Sequence, residues 1–435
     1  MLKKRFLLCI LFIFFCLSII FSSSTYAADP STLKISSPSV LVIERKTGNV
    51  IYAKNADTTR YPASLTKIMT AIVVIENSNL SDVIKMTYDE VSKVPSGYSN
   101  AGLKVDEELT VDQLLHLLLL CSASDAAYAL ADHVGGSIPN FVTMMNAKAK
   151  ELGCANTNFV SPDGVQNAKH ITTATDLAKI ANYAMNNETF RGIVSKSSYI
   201  LYPTNKTSTE RLYKNSNSLL DKTSTYYYSK AIGVKTGFTT PAGNCLVACA
   251  KQDDNDLEFI VVILGATQTS SGLSERFLDA KTLFDYAFGN YTYSDVEKAN
   301  DVVTTTTIKG ATNKTKNLEL KLESNITAFI DKKELASGAY FQPNISLNED
   351  LKAPIENGTV VGTATYTVDG VNYTSNLLAA KDVKKSYTAV IVTVVIIFIA
   401  LVAVYVYIDN QKNRKKKNHR IDRLVGQYRS PENLE

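Results

Sequence analysis

Residues 62–75 read PASLTKIMTAIVVI. Leu65, Ile68, Met69, Ile72 and Ile75 recur at helical spacing, and Ala71, Val73 and Val74 fill the other faces. A helix apolar on every side belongs inside a domain. Its first turn nevertheless carries Ser64 and Lys67, three residues apart and so on one face about 5–6 Å from each other. A serine hydroxyl is a poor nucleophile until a base removes its proton, and a lysine can be that base when burial keeps it neutral. The buried helix supplies the desolvation, and its N-terminus offers backbone N–H groups for a developing oxyanion.

Working outward from this helix, residues 40–54 (VLVIERKTGNVIYAK) are two apolar runs around Lys46-Thr47-Gly48, which predicts a β-hairpin. Helical patterns dominate from about 110 to 187. Residues 195–230, rich in Ser, Thr, Lys and Tyr, read as surface loops and turns. Strand patterns return at 231–237 (AIGVKTG), 244–250 (NCLVACA) and 257–266 (LEFIVVILGA), followed by a helix at about 274–288. Strands first, helices in the middle and strands last predict an α/β domain of two or three layers, its sheet drawn from both ends of the segment. From about 296 the texture changes to short Thr- and Val-rich runs with turn signals, including Asp369-Gly370, which predicts a small all-β domain over 296–382.

The two ends differ from both domains. Residues 1–27 have Lys3, Lys4 and Arg5 ahead of an apolar stretch and small residues around Ala27, the pattern of a signal peptide cut after Ala27. Residues 388–408 are 21 residues without a charge, and about 20 suffice for a helix to cross a bilayer. The tail 409–435 is basic, which by the positive-inside rule puts it in the cytoplasm and residues 28–387 outside the cell membrane. Three of the 46 basic residues lie in 1–27 and eight in 409–435, which also holds four of the 42 acidic ones. The segment between therefore carries 35 basic against 38 acidic residues. The net charge of +4 thus reflects topology, and no nucleic-acid partner is indicated. Beyond residue 27 the cysteines are Cys121, Cys154, Cys245 and Cys249, whose spacing fits no metal site or redox pair. They read as buried free thiols, with a pairing of Cys121 or Cys154 to either of the others left open.

The serine–lysine pair alone says little, since Ser31 and Lys34 share its spacing. Its weight comes from an ordered set. Ser122-x-Ser124 follows Ser64 by 58 residues, at the end of the apolar run LLLLCSASDAA (117–127), and Lys235-Thr236-Gly237 follows by a further 113, with Phe238 next. On these motifs, and on TNFVSPDGV, TTATDLAKIA and GVKTGFTTPAGNCLVA, the chain resembles the penicillin-recognising serine enzymes. Within them it is most similar to the low-molecular-mass penicillin-binding proteins, the D-alanyl-D-alanine carboxypeptidases, whose signatures are S-x-x-K, S-x-N and K-T-G.

The resemblance implies a β-lactamase/transpeptidase-like catalytic domain over 28–295, an antiparallel sheet flanked by helices, then the all-β domain and one C-terminal transmembrane helix. It implies no cofactor and no metal. It implies that Ser64 attacks the terminal D-Ala–D-Ala bond of a peptidoglycan stem peptide and that Lys67 is the base. Ser122 relays the proton to the leaving amine. Lys235, Thr236 and Gly237 form the carboxylate-binding strand, and the N–H groups of Ser64 and Phe238 form the oxyanion hole. β-Lactam antibiotics would acylate Ser64. Ser124 stands where the family has asparagine, so the alternative is a weakly active or non-catalytic penicillin-binding wall protein. A β-lactamase would need a glutamate to activate the deacylating water, and NFVSPDGVQNAKH (158–170) has none. His170 reads as structural, and Asp125 as a brace for the Ser122 loop.

Overall fold

The computed structural model describes residues 32–92 and 94–427. The signal peptide assigned to 1–27 and the last eight residues of the basic tail lie outside the described residues. The chain forms two compact units. Residues up to Ser294, with Ala328–Tyr340 and Val368–Val371, make the first, and the remainder makes the second.

The first unit is built on a five-stranded antiparallel sheet. Strands β1 (Ser39–Glu44), β2 (Val50–Lys54), β3 (Ala231–Thr239), β4 (Gly243–Gln252) and β5 (Leu257–Ala266) take the order β2-β1-β5-β4-β3. The N-terminal hairpin thus pairs with the strands from the far end, Val42 opposite Val261. Side chains of a strand alternate between faces, and both faces here are covered. Leu41, Ile43, Ile260, Val262 and Leu264 enter one core, while Val40, Val42, Phe259, Val261 and Ile263 enter another. That double burial explains why residues 259–264 read as an unbroken apolar run.

The first core is closed by helices α1 (Lys67–Asn77), α2 (Val111–Leu120), α3 (Ser124–Gly135), α4 (Ile138–Glu151), α5 (Ala174–Ala184) and α6 (Glu188–Val194). The second is closed by α7 (Glu275–Asn290), through Phe277, Ala280, Leu283, Phe284 and Phe288. The result is three layers, helices–sheet–helix. α1 is the central helix, with every residue from Lys67 to Val74 buried. Thr110 and Gln113 form a capping box that starts α2 ahead of its run of leucines.

Two segments depart from the expectation. Residues 195–230, read as loops, include an antiparallel hairpin of Ser198–Leu201 with Arg211–Lys214, Ile200 facing Leu212. Leu201 is its one buried residue, so the strands lack the apolar alternation that would reveal them. The helical stretch of 110–187 is interrupted by the segment between α4 and α5, where only isolated bridges such as Asn158 to Ile171 form. All four cysteines of the described residues are free thiols.

Before its C-terminal helix the second unit is all-β. Five strands lie in the order Val302–Thr307, Asn317–Leu322, Val371–Ala379, Val360–Val368, Asn344–Leu347 around a core that includes Leu318, Leu320, Leu322, Val361, Tyr366 and Leu377. Asp369 and Gly370 both take left-handed φ values, 46° and 78°, as the tight turn between two of these strands requires. A helix follows over Thr388–Gln427, and its Thr388–Gly426 portion is long and apolar enough to cross a membrane.

Leu117 is fully buried in α2, which packs on α1 and delivers the second motif. Leu117→Ala is expected to destabilise the first unit by about 2–5 kcal/mol through lost burial and a residual cavity. Denaturant unfolding of the full chain followed by near-UV dichroism measures it.

Candidate active site

Ser64 lies in a 3-10 turn, Ala63–Thr66, that runs straight into α1. The α-helix thus begins at Lys67, one turn later than the serine. Ala63 is held at φ 49°, a conformation alanine rarely adopts, and the turn presents the Ser64 hydroxyl at the surface of the cleft. Lys67 Nζ lies 3.2 Å from Ser64 Oγ, 3.2 Å from Ser124 Oγ and 2.9 Å from the Asp163 carbonyl oxygen. The lysine is 1% exposed. Burial penalises its charged form and lowers its pKa from the ordinary value, against the opposing pull of Asp163 and Asp125.

The second motif sits at the junction of α2 and α3. Serines at such junctions commonly cap helices, but neither does so here. Ser122 takes φ 65° between the two helices, and its Oγ is buried without a hydrogen-bond partner. Ser124 opens α3, with its N–H donating to Ser99 O at 2.9 Å and its hydroxyl at Lys67. Asp125 is the brace expected of it, although its target is a neighbouring loop. Its carboxylate accepts from the N–H groups of Ala101 and Leu103 at 3.0–3.1 Å and so fixes one rim of the cleft.

The third motif lies on β3. Lys235 is fully buried, donates to Thr236 O at 3.0 Å, and is driven well below the ordinary lysine pKa chiefly by burial. Thr236 Oγ1 is 2.6 Å from Ser216 Oγ. Gly237 is required by contact, because a Cβ there would stand 3.1 Å from Pro62 O and from Ser64 N. The missing side chain lets β3 lie against the backbone of the serine turn. Phe238 is 59% exposed at the cleft edge. The cleft itself, about 370 Å³, is lined by Ser64, Ser122, Thr236, Gly237 and Phe238 together with Tyr98 and Arg276. Three motifs distant in sequence therefore converge, and a buried amine meets two serine hydroxyls beside a close backbone approach. This is an arrangement for acyl transfer.

The sequence profile of the D-alanyl-D-alanine carboxypeptidases, peptidase group S11, matches residues 24–268, and that of the penicillin-binding protein 5 C-terminal domain matches 291–385. The chain belongs to the S11 D-alanyl-D-alanine carboxypeptidases. D-alanyl-D-alanine carboxypeptidase DacF of Bacillus subtilis is 32% identical over 82% of this chain and 88% of its own length. A D-alanyl-D-alanine carboxypeptidase of Streptomyces sp. K15 is 37% identical over 61% of this chain and 94% of its own. Among solved structures, the carboxypeptidase DacD of Francisella tularensis superposes with a TM-score of 0.60 at 27% identity, covering 84% of this chain and 98% of that one.

What sequence reasoning missed in this carboxypeptidase is the loop between α4 and α5. Pro162 O accepts from Thr70 Oγ1 at 2.5 Å, and Asp163 O accepts from Lys67, so the loop holds α1 at two points. Gly164, at φ 84°, passes so near the serine turn that a Cβ would fall 2.0 Å from Ala63 O. The only sequence signal was the turn-forming Ser-Pro-Asp-Gly run. His170 is structural, as expected, and its partners show how. Val160 N–H donates to Nδ1 at 3.3 Å, which leaves the proton on Nε2 to donate to Thr66 Oγ1 at 2.8 Å. Thr66 in turn donates to Ala63 O at 2.8 Å. A chain of three hydrogen bonds thus holds the turn that carries Ser64. Arg276, also missed, reaches from α7 to donate to Gly237 O and Cys245 O at 3.0 and 3.2 Å. Among the described residues no three His, Cys, Asp or Glu side chains gather as metal ligands would.

Two outcomes follow from this loop. Gly164→Ala is expected to abolish acylation of Ser64 by a fluorescent penicillin while the protein stays folded by circular dichroism. Burial lowers the pKa of His170 from 6.5 to about 4. The unfolded chain binds that proton more readily, so stability is present above pH 6.5 and declines as the pH falls toward about 4. Thermal unfolding of wild type and His170→Gln across that range measures the difference, which should shrink as the pH falls.

Proposed function

We propose that this carboxypeptidase removes the terminal D-alanine from peptidoglycan stem peptides through an acyl-enzyme on Ser64. The observation that carries this reading is the hydrogen count at Lys67. A neutral amine has two N–H donors and one lone pair. Ser124 Oγ and Asp163 O can take the two hydrogens, which leaves the lone pair for the Ser64 hydroxyl at 3.2 Å. Lys67 then accepts the proton as Ser64 Oγ bonds to the carbonyl carbon of the penultimate residue. The N–H groups of Ser64 and Phe238 receive the oxyanion, with Gly237 permitting their approach. The C–N bond breaks when the leaving amine takes a proton through Ser122, whose free, buried hydroxyl stands in the same cleft. Water then attacks the ester, Lys67 takes its proton, and Ser64 leaves protonated.

The terminal carboxylate falls to Thr236 and Lys235. In the empty cleft Lys235 is held below its ordinary pKa, and an arriving carboxylate reverses that by offering a counter-charge. β-Lactams, which carry an acyl bond and a carboxylate in the same relation, acylate the same serine. Ser124 does half the work of an asparagine. It holds Lys67, while its reach toward the substrate carbonyl is shorter, and losing such a positioning contact is worth on the order of 10²-fold in rate. We place the catalytic unit outside the cell, anchored by the apolar 388–408 part of the Thr388–Gln427 helix with the basic tail in the cytoplasm, as the charge on either side of the apolar span favours.

A fluorescent penicillin should label the wild type and not Ser64→Ala, and D-alanine should be released from diacetyl-L-lysyl-D-alanyl-D-alanine. Label without release identifies the penicillin-binding wall protein instead. Ser124→Ala should slow acylation about 10-fold or more by freeing Lys67, while Ser124→Asn should acylate at least as fast as wild type.

A further inference from the structure

We propose that Ser216 is a positioning residue for recognition of the substrate's terminal carboxylate, acting by aiming the Thr236 hydroxyl proton into the cleft; the inference rests on the carboxypeptidase reading above. Ser216 lies in Asn215-Ser216-Asn217, ahead of β3 and outside all three motifs. The segment is fastened on three sides. Asn215 Nδ2 donates to Lys196 O at 2.9 Å, Ser216 N–H to Leu120 O at 3.0 Å at the end of α2, and Asn217 Nδ2 to Gly233 O at 2.9 Å on β3. Asn217 is fully buried, whereas the Ser216 side chain is exposed and lines the cleft. Two buried or bonded asparagines thus hold in place a hydroxyl that itself packs against little.

That hydroxyl stands 2.6 Å from Thr236 Oγ1. Two hydroxyls so close share one proton, and which of them donates decides where the other proton points. A carboxylate accepts and never donates, so Thr236 must direct its own proton to the substrate. It can do so while hydrogen-bonded only if its oxygen accepts from Ser216. The same chain strengthens the outer bond, because a hydroxyl that accepts becomes a better donor. Ser216 is therefore the second element of the carboxylate site, placed by α2 and β3 together.

Because the Ser216 side chain is exposed, its removal leaves thermal stability unchanged and the kinetics report the hydroxyl. With the full chain in detergent and the diacetyl tripeptide as substrate, Ser216→Ala should raise KM about 2- to 10-fold with kcat within about twofold, the weight of one neutral hydrogen bond. Ser216→Thr should restore KM. In a Thr236→Val background, Ser216→Ala should add nothing. An unchanged KM in Ser216→Ala, or the same rise in the Thr236→Val background, overturns the proposal while leaving D-alanine release by the wild type intact. A wild type that takes penicillin but releases no D-alanine defeats the carboxypeptidase reading, and this inference falls with it.

Discussion

An amine buried among oxygen atoms is the constraint on which the rest of this molecule depends. Lys67 is among the largest fully buried side chains of the chain, and a lone buried ammonium is among the costliest groups a protein can hold. Burial accordingly lowers the Lys67 pKa, so that giving up the proton becomes easier. The three oxygens around Nζ can serve the neutral form, with Ser124 Oγ and Asp163 O taking its two hydrogens and the Ser64 hydroxyl turned to donate to its lone pair. The physical chemistry that makes α1 a core helix therefore also lowers the pKa of its first residue, the base of the proposed mechanism.

Keeping that arrangement takes three chain segments pressed to backbone contact, and glycine appears at the two closest approaches. Gly237 brings β3 against Ser64, and Gly164 brings the loop between α4 and α5 against Ala63. A hydrogen-bonded chain from Val160 through His170 and Thr66 to Ala63 then fixes the strained turn. The sheet supplies rigidity from behind, because β3 is held by β4 along its whole length, from Ala231 to Thr239. The cleft is thus bounded by backbone that cannot yield, which suits a reaction limited by positioning.

The sheet, the core helix and the ordered motifs were legible because each writes itself locally. Alternation of apolar residues, helical spacing and a fixed triplet survive without knowledge of partners. The hairpin of Ser198–Leu201 with Arg211–Lys214 was not legible, since its pairing partner and not its polarity makes it a strand. Ser122 was ambiguous for a different reason. A helix-capping serine and one that serves a cleft read alike in sequence, and here the left-handed φ and the unpaired hydroxyl argue against the cap. Gly164, Ser216 and Arg276 left almost no mark, because each matters through a contact with a residue 20 or more positions away. Ser124 remains where the family pattern has an amide, and its bond to Lys67 explains why a hydroxyl is tolerated there.

The central claim is that Lys67 is neutral in the resting enzyme. Selective 13Cε labelling of lysine, with the Lys67 resonance assigned by its loss in Lys67→Arg, reads this directly through a pH titration of the full chain. The account predicts a free-amine shift at pH 7.5, from a titration lowered from the 10.5 of an ordinary lysine. A Lys67 signal that stays in the ammonium position up to pH 10 would contradict it.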